Sequence, residues 1–345
     1  MSDEPSDTMR ERINESQTKL WILLRADRER LASIVLGGIF VSFIAVGILD
    51  PTPLRAAITS KDPIETLFEE YVAAIITGVT LVLTLNQLIL SQELGAVGDQ
   101  RERMVGAMDF REDVEDTIDA PITPPEPSAF LRAIIDATQA RANDLSEAVS
   151  ESRDEQLRDH TDAYIESLTQ NATEVSNQLE DAQFGTFTVL FAALDYNYSW
   201  KIYEARRLKN EHADGLTDEA DEAFDRLIEV LKFFGPAREH FKTLYFQWEL
   251  ADLSRTLLYV AVPAVVVTSI MVLFVGNPGT ITGTTAGVDN LLWVTSAAAT
   301  IALSPFILLL SYILRIVTVA KRTLSIGPFI LRETDRSESI DWDEE

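Results

Sequence analysis

The sequence predicts an all-α polytopic membrane protein, in which two pairs of transmembrane helices flank a long-helix cytoplasmic domain. Three observations predict it. Four runs of 19 to 24 residues carry no charge, and at about 1.5 Å per residue each covers roughly the 30 Å of bilayer hydrocarbon. The rest of the chain is strongly charged and reads as helix, with proline nearly confined to one stretch and to Pro236. Lys and Arg gather at one set of span ends, which orients a multi-pass chain.

The spans are Leu31 to Leu49, Tyr71 to Leu90, Thr256 to Val275 and Leu291 to Leu314. Pro263 and Pro305 lie inside the third and fourth, where spanning helices tolerate a kink. A polar, acid-containing segment precedes the first run and no small-residue cleavage site follows it, which does not fit a signal peptide. Lys19, Arg25, Arg28 and Arg30 precede the first span, Arg101 and Arg103 follow the second, Arg255 abuts the third, and Arg315, Lys321 and Arg322 follow the fourth. The loop at 50–70 has only Arg55 and Lys61, and that at 276–290 has no basic residue. A cell-membrane protein with both termini cytoplasmic follows. Trp293 and Tyr71 then fall at the outer interface. The expected divisions are a cytoplasmic N-terminal segment (1–30), spans one and two with their outer loop (31–92), a cytoplasmic helical domain (93–254), spans three and four (255–317) and an acidic tail (318–345). "KLWILLRADRERL" either lies on the inner membrane surface or extends the first span.

Within 93–254 the second span is expected to continue outward until "DAPITPPEPS" (Asp119 to Ser128) breaks it. Ser128 is a plausible cap for the helix that follows. Leu131, Ile135, Thr138, Ala142, Leu145 and Val149 form one coiled-coil-like seam, and Ile165, Leu168, Ala172, Val175, Leu179 and Ala182 a second. An alternative function follows from these seams, a membrane-anchored interaction or sensory scaffold that meets a cytoplasmic protein partner through them. "FGTFTVLFAALDYNYSW" reads as a core helix, too short to span. An acidic amphipathic helix capped by Thr217 or Asp218 follows. A last helix from "AREHF" runs straight into the third span. No strand pattern and no repeat is visible.

Composition bounds the partners. Formal net charge is −26, from 55 Asp and Glu against 29 Lys and Arg. Such a charge repels nucleic-acid backbones, so no nucleic acid is expected. The acid is spread over the polar part, which suits a chain solvated in concentrated salt better than one with a single acidic recruiting surface. Screening at about 1 M salt shortens to roughly 3 Å, so self-repulsion there costs little. There is no cysteine, which excludes disulfides and thiolate chemistry.

The spans carry a polar pattern. At about 100° per residue Thr77, Thr80, Thr84, Gln87 and Ser91 fall within about 80°, with Asn86 roughly opposite. Ser296, Thr300, Ser304, Ser311 and Arg315 share an arc of about 100° on the fourth span. Two readings stay open. Hydroxyl residues let membrane helices pack and bond across, as Ser33-xxx-Gly37 and Gly38-xxx-Ser42 suggest for the first span. Alternatively, several copies of the second span line a wet path for small ions. Arg315 is expected to snorkel to lipid phosphate. No Asp, Glu, Lys or His sits at a span centre, which argues against a proton-coupled pump.

No catalytic pattern is found: no metalloprotease helix, P-loop, dinucleotide fingerprint or nucleophile elbow. His160 and His212 stand in polar surroundings and read as surface residues. Asp195 is the carboxylate to watch, expected at the end of the core helix and bonded to Tyr196 or Tyr198. The chain is therefore expected to be a non-enzyme without cofactor or metal, partnered by the lipid bilayer and by further copies of itself as a homo-oligomer.

"NQLILSQELG", "LYFQWELADLSR" and "AKRTLSIGPFILRE" resemble uncharacterised four-span membrane proteins of halophilic archaea, a likeness that runs the length of the chain and implies no activity. The layout also resembles bestrophin-type anion channels, whose second span lies near the axis of a ring, and "VTLV" (Val79 to Val82) echoes that span. Asparagine spacing and neighbouring aromatics do not match, and no site residue follows from this likeness.

Overall fold

The computed structural model describes residues 21–22, 26–49, 63–180, 182, 187–275, 279 and 281–322. The described chain is all-α apart from one two-residue hairpin. In order it runs α1 (Arg28–Leu49), α2 (Pro63–Glu93), α3 (Val97–Ile118), α4 (Pro127–Ser150), α5 (Glu155–Glu180), α6 (Phe187–Leu194), α7 (Tyr198–Glu211), a 3₁₀ turn (Ala213–Gly215), α8 (Asp218–Phe274), β1 (Thr284–Thr285), β2 (Val288–Asp289) and α9 (Asn290–Arg322). Four of these, α1, α2, α8 and α9, are long and apolar enough to cross a membrane.

The chain divides into two compact units. The apolar unit holds Trp21–Ala96 and Phe246–Val319; the polar unit is centred on Val97–Tyr245. The first boundary corrects the expected outward continuation of the second span. Residues 94–96 are not helical, and Gly95 within them lowers the cost of leaving the helix. The second boundary lies inside α8, so the third span is one end of a 57-residue helix. The acidic helix and the last helix expected as two are one here, because the chain stays helical through Gly235-Pro236. A residue before proline leaves the α region when its Cβ meets the proline ring, and Gly235 has no Cβ.

In the polar unit both seams are buried: Leu131, Ile135, Ala142 and Leu145 on α4, and Leu168, Ala172 and Val175 on α5, are each fully enclosed. They form one core with Phe224, Leu227, Leu231 and Phe234 of α8. The coiled-coil-like periodicity is thus satisfied inside the unit, and a protein partner would have to use another surface. The short α6 buries Val189, Ala192 and Ala193 in the same core. Helix α4 starts one residue before Ser128. Pro127 takes the first turn, Glu126 precedes it without a side-chain cap, and Ser128 is buried; proline suits that place because its missing N–H has no partner to lose. At the start of α8 the expected cap is present, with the Ala220 N–H donating to Thr217 Oγ1 at 3.1 Å.

In the apolar unit, Ile64 and Phe68 of α2 pack with Met271, Leu291, Ala298 and Ala302, and Val82 packs with Leu253, Leu257, Leu308 and Tyr312. Helix α1 is barely enclosed. A Cβ added at Gly37 or Gly38 would meet nothing within 4 Å, and Ser33 and Ser42 bond back to Glu29 and Gly38 carbonyls of their own helix. The small-residue pattern expected to pack this span meets no partner helix among the described residues. Between α8 and α9 the hairpin turns through Ala286 and Gly287, at φ 53 and 78°. Two successive left-handed residues make the tight turn that matches strand twist; two-residue strands are too short to leave an alternating pattern. The Trp293 indole N–H donates to the Thr285 carbonyl at 3.2 Å.

Candidate functional site

The polar arc of α2 is the candidate. Ile64, Phe68, Ile75 and Val82 are its buried positions, and they centre about 170° from the polar arc at 100° per residue. Thr77, Thr80, Thr84, Gln87 and Ser91 are all exposed. They therefore face away from the other described helices, and the half-buried Asn86 lies on the packed side. Thr77 donates to the Ala73 carbonyl, Thr80 to Ile76 and Thr84 to Thr80, at 2.8, 2.8 and 2.9 Å. Each hydroxyl proton is thus satisfied within the helix, and its oxygen can still accept a bond. Towards the Pro63 end the same arc continues through Thr66, Glu69 and Glu70, all exposed.

The polar residues of α9 are placed differently. Ser296 and Ser311 are buried and Thr300 and Ser304 half-buried. Thr300 bonds back to the Ser296 carbonyl and Ser304 to Ile301. Ser311 donates to the Leu308 carbonyl at 2.8 Å, and its Oγ lies 3.4 Å from the Arg28 carbonyl. So the structure does not gather the two stripes into one place: that of α9 turns inward and that of α2 outward.

Arg315 corrects the snorkelling expectation. It is 9 % exposed, with Nη1 3.3 Å from Glu249 Oε1 and Nη2 donating to the Ala26 carbonyl at 2.7 Å. Arg28 is buried beside it and donates to the Ser311 carbonyl at 3.2 Å. Tyr312 donates to Asp252 Oδ2 at 3.0 Å. This ionic layer joins the start of α1 to α8 and α9. Sequence reasoning missed it because Glu249 precedes Arg315 by 66 residues; the available signal was a carboxylate pair, Glu249 and Asp252, just ahead of an apolar run.

In the polar unit, Asp195 directly follows the end of α6, as expected; it is buried, and its carbonyl accepts from Asn171 Nδ2 at 3.0 Å. Lys201 is buried too, its Nζ 5.3 Å from the centre of the Tyr196 ring. His212 is not the surface residue expected: its side chain is 10 % exposed and Nδ1 lies 2.9 Å from Asp154 Oδ2. The Asp154 carboxyl is held below its usual range, first by the Leu157 N–H and then by His212. His160 is exposed, with its ring 5.7 Å from that of His212. Among the described residues no group of three or more His, Asp or Glu is placed to hold a metal. An open cleft of about 1420 Å³ between α7 and α8 is lined by Tyr198, Tyr203, Arg206, Lys209, Lys232 and Glu239, among others. Its Lys209 is committed to Asp221 and Asp225 at 3.0 and 2.5 Å.

Searches of curated proteins and of solved structures each find no match to this chain, so neither supports the likeness to bestrophins. One family model matches residues 1–344. That match agrees with the expectation of a family without assigned activity: the chain belongs to the family of unknown function DUF7972.

Proposed function

We propose that this chain is a non-catalytic, multi-pass membrane protein, several copies of which set α2 around a path for small ions. The exposed polar face of α2, diametrically opposite its packed face, carries this reading. Lipid is a poor environment for that face. The threonine hydroxyls tolerate it, but the Gln87 amide makes no hydrogen bond among the described residues. An unsatisfied amide in hydrocarbon costs several kcal/mol. Water or another copy of the same face relieves that cost. Hydroxyl lone pairs can solvate a passing cation, and Glu69 and Glu70 on the same arc favour cations over anions electrostatically. The Lys and Arg distribution supports both termini on the cytoplasmic side and the Glu69 end outside.

The test is conductance in reconstituted bilayers. Thr80→Leu and Thr84→Leu are expected to lower the unit conductance severalfold, and Glu69→Gln with Glu70→Gln to lower the preference for cations over anions. A parent protein that conducts no more than an empty bilayer overturns the reading.

A further inference from the structure

Burial divides helix α3 in two. Its C-terminal half seats Phe110, Val114 and Ile118 in or against the core of the polar unit, whereas every residue from Val97 to Asp109 is exposed. A half-helix with no packed side is expected to be polar all round. Instead Val97, Met104, Val105 and Met108 are 87, 62, 45 and 40 % exposed, and they share an arc of about 100°. Arg101 and Glu112 lie on that same arc, on either side of the Met104, Val105 and Met108 group, and both are exposed. Neither makes an ion pair or hydrogen bond among the described residues. Their separation is roughly 16 Å along the axis and only about 20° around it.

We propose that this face is the contact with a second copy of the chain, the two α3 helices crossing antiparallel about a twofold axis between Val105 and Met108. A twofold contact must be self-complementary, and this one is. Arg101 of each copy meets Glu112 of the other, Val105 meets Met108, and the apolar group closes on itself. A parallel pair would set Arg101 against Arg101 and Glu112 against Glu112, which like-charge repulsion disfavours. A lipid surface fits less well. Membrane-surface helices carry Lys and Arg on the polar face, but α3 presents Asp99, Glu102, Asp109 and Asp113 there, and its apolar arc would press Glu112 towards hydrocarbon. The contact is shorter than a free-standing interface of about 1,000 Å² requires, so it acts between copies already concentrated by the membrane. It does not depend on the ion-path reading, and each can fail alone.

The absence of native cysteine makes the test direct in the full-length protein embedded in vesicles. Single cysteines replace Met108, Val97 or Arg103, and a mild oxidant is added. Met108→Cys is expected to give disulfide-linked dimer. Val97→Cys, which the twofold sets about 28 Å along the axis from its counterpart, and Arg103→Cys, on the opposite face, are expected to give little. Adding Arg101→Glu to Met108→Cys should lower the dimer yield about fivefold, the loss of two exposed pairs, and adding Glu112→Arg as well should restore it. The yield is read at the lowest salt that keeps the protein monodisperse, because screening weakens the pairs. Equal linking at Val97 and Met108 would show a parallel pair and overturn the proposal. So would strong linking at Arg103, failure of the charge swap to restore the dimer, or a Met108→Cys thiol that stays monomeric and is shielded by lipid from a water-soluble maleimide.

Discussion

At the residue scale, Gly235 decides whether α8 can lie against α7. A Cβ built there would sit 2.9 Å from Tyr198 Cε2 and 3.0 Å from the ring's Cζ and hydroxyl. The ring cannot swing aside cheaply. Its edge packs on Phe234 at 5.9 Å between centroids, and the Arg238 guanidinium covers it at 4.9 Å. Gly235→Ala is therefore expected to destabilise the polar unit by about 1–3 kcal/mol, the usual cost of overpacking, although alanine is the better helix former. Thermal unfolding measures it, and Tyr198→Leu added to Gly235→Ala should recover part of the loss. The sequence marks Gly235-Pro236 as a helix break, and that is the lesson of this position. Local rules see a glycine and a proline; only the neighbouring helix shows that the glycine is there to admit a ring. Asp195 teaches the converse. Its place at the end of the core helix was legible in the apolar run, but Asn171, whose amide bonds its backbone carbonyl, lies 24 residues earlier, beyond any local pattern.

At the element scale, the ionic layer around Arg315 fastens three helix ends of the apolar unit. Taking a carboxylate and a guanidinium out of water is costly, and removing one partner strands the other. Arg315→Ala is thus expected to cost about 3–5 kcal/mol through the uncompensated Glu249. Arg315→Met with Glu249→Leu should be far milder, because an apolar pair of similar volume removes both charges together. Thermal unfolding in detergent separates the outcomes: a double variant as unstable as Arg315→Ala would mean that the Ala26 carbonyl contact, not the ion pair, is what matters. The two polar stripes also belong to this scale. Helical periodicity foretold that each stripe lies on one face. It could not tell which face meets the neighbours, because serine and threonine that bond to their own backbone suit a packed surface and a wet one alike.

At the scale of the whole molecule, charge sets the response to acid. Asp154 and Glu115 both have carboxyls held below the usual range, Asp154 by the Leu157 N–H and His212, Glu115 by the Thr123 backbone N–H and hydroxyl. A depressed carboxylate adds stability that is fully present above its unfolded pKa of about 4 and is lost as the pH falls through the lower folded value. Asp154→Asn with Glu115→Gln should therefore lose less stability than the parent between about pH 5 and pH 3, as followed by helical circular dichroism; identical acid profiles would exclude these bonds as a source of the pH dependence. The sequence by itself determined the class of object. Span length follows from the bilayer thickness and helical period from backbone geometry, both properties of a strand of residues read in order. Only the tertiary structure decided that the α4 and α5 seams are consumed in one core, that Arg315 is paired and buried, and that, among the described residues, the α2 stripe faces away from the other helices and half of α3 stands bare with an apolar face. Those outcomes depend on which surfaces meet across large sequence separations, and periodicity within a helix fixes a face without naming what it faces.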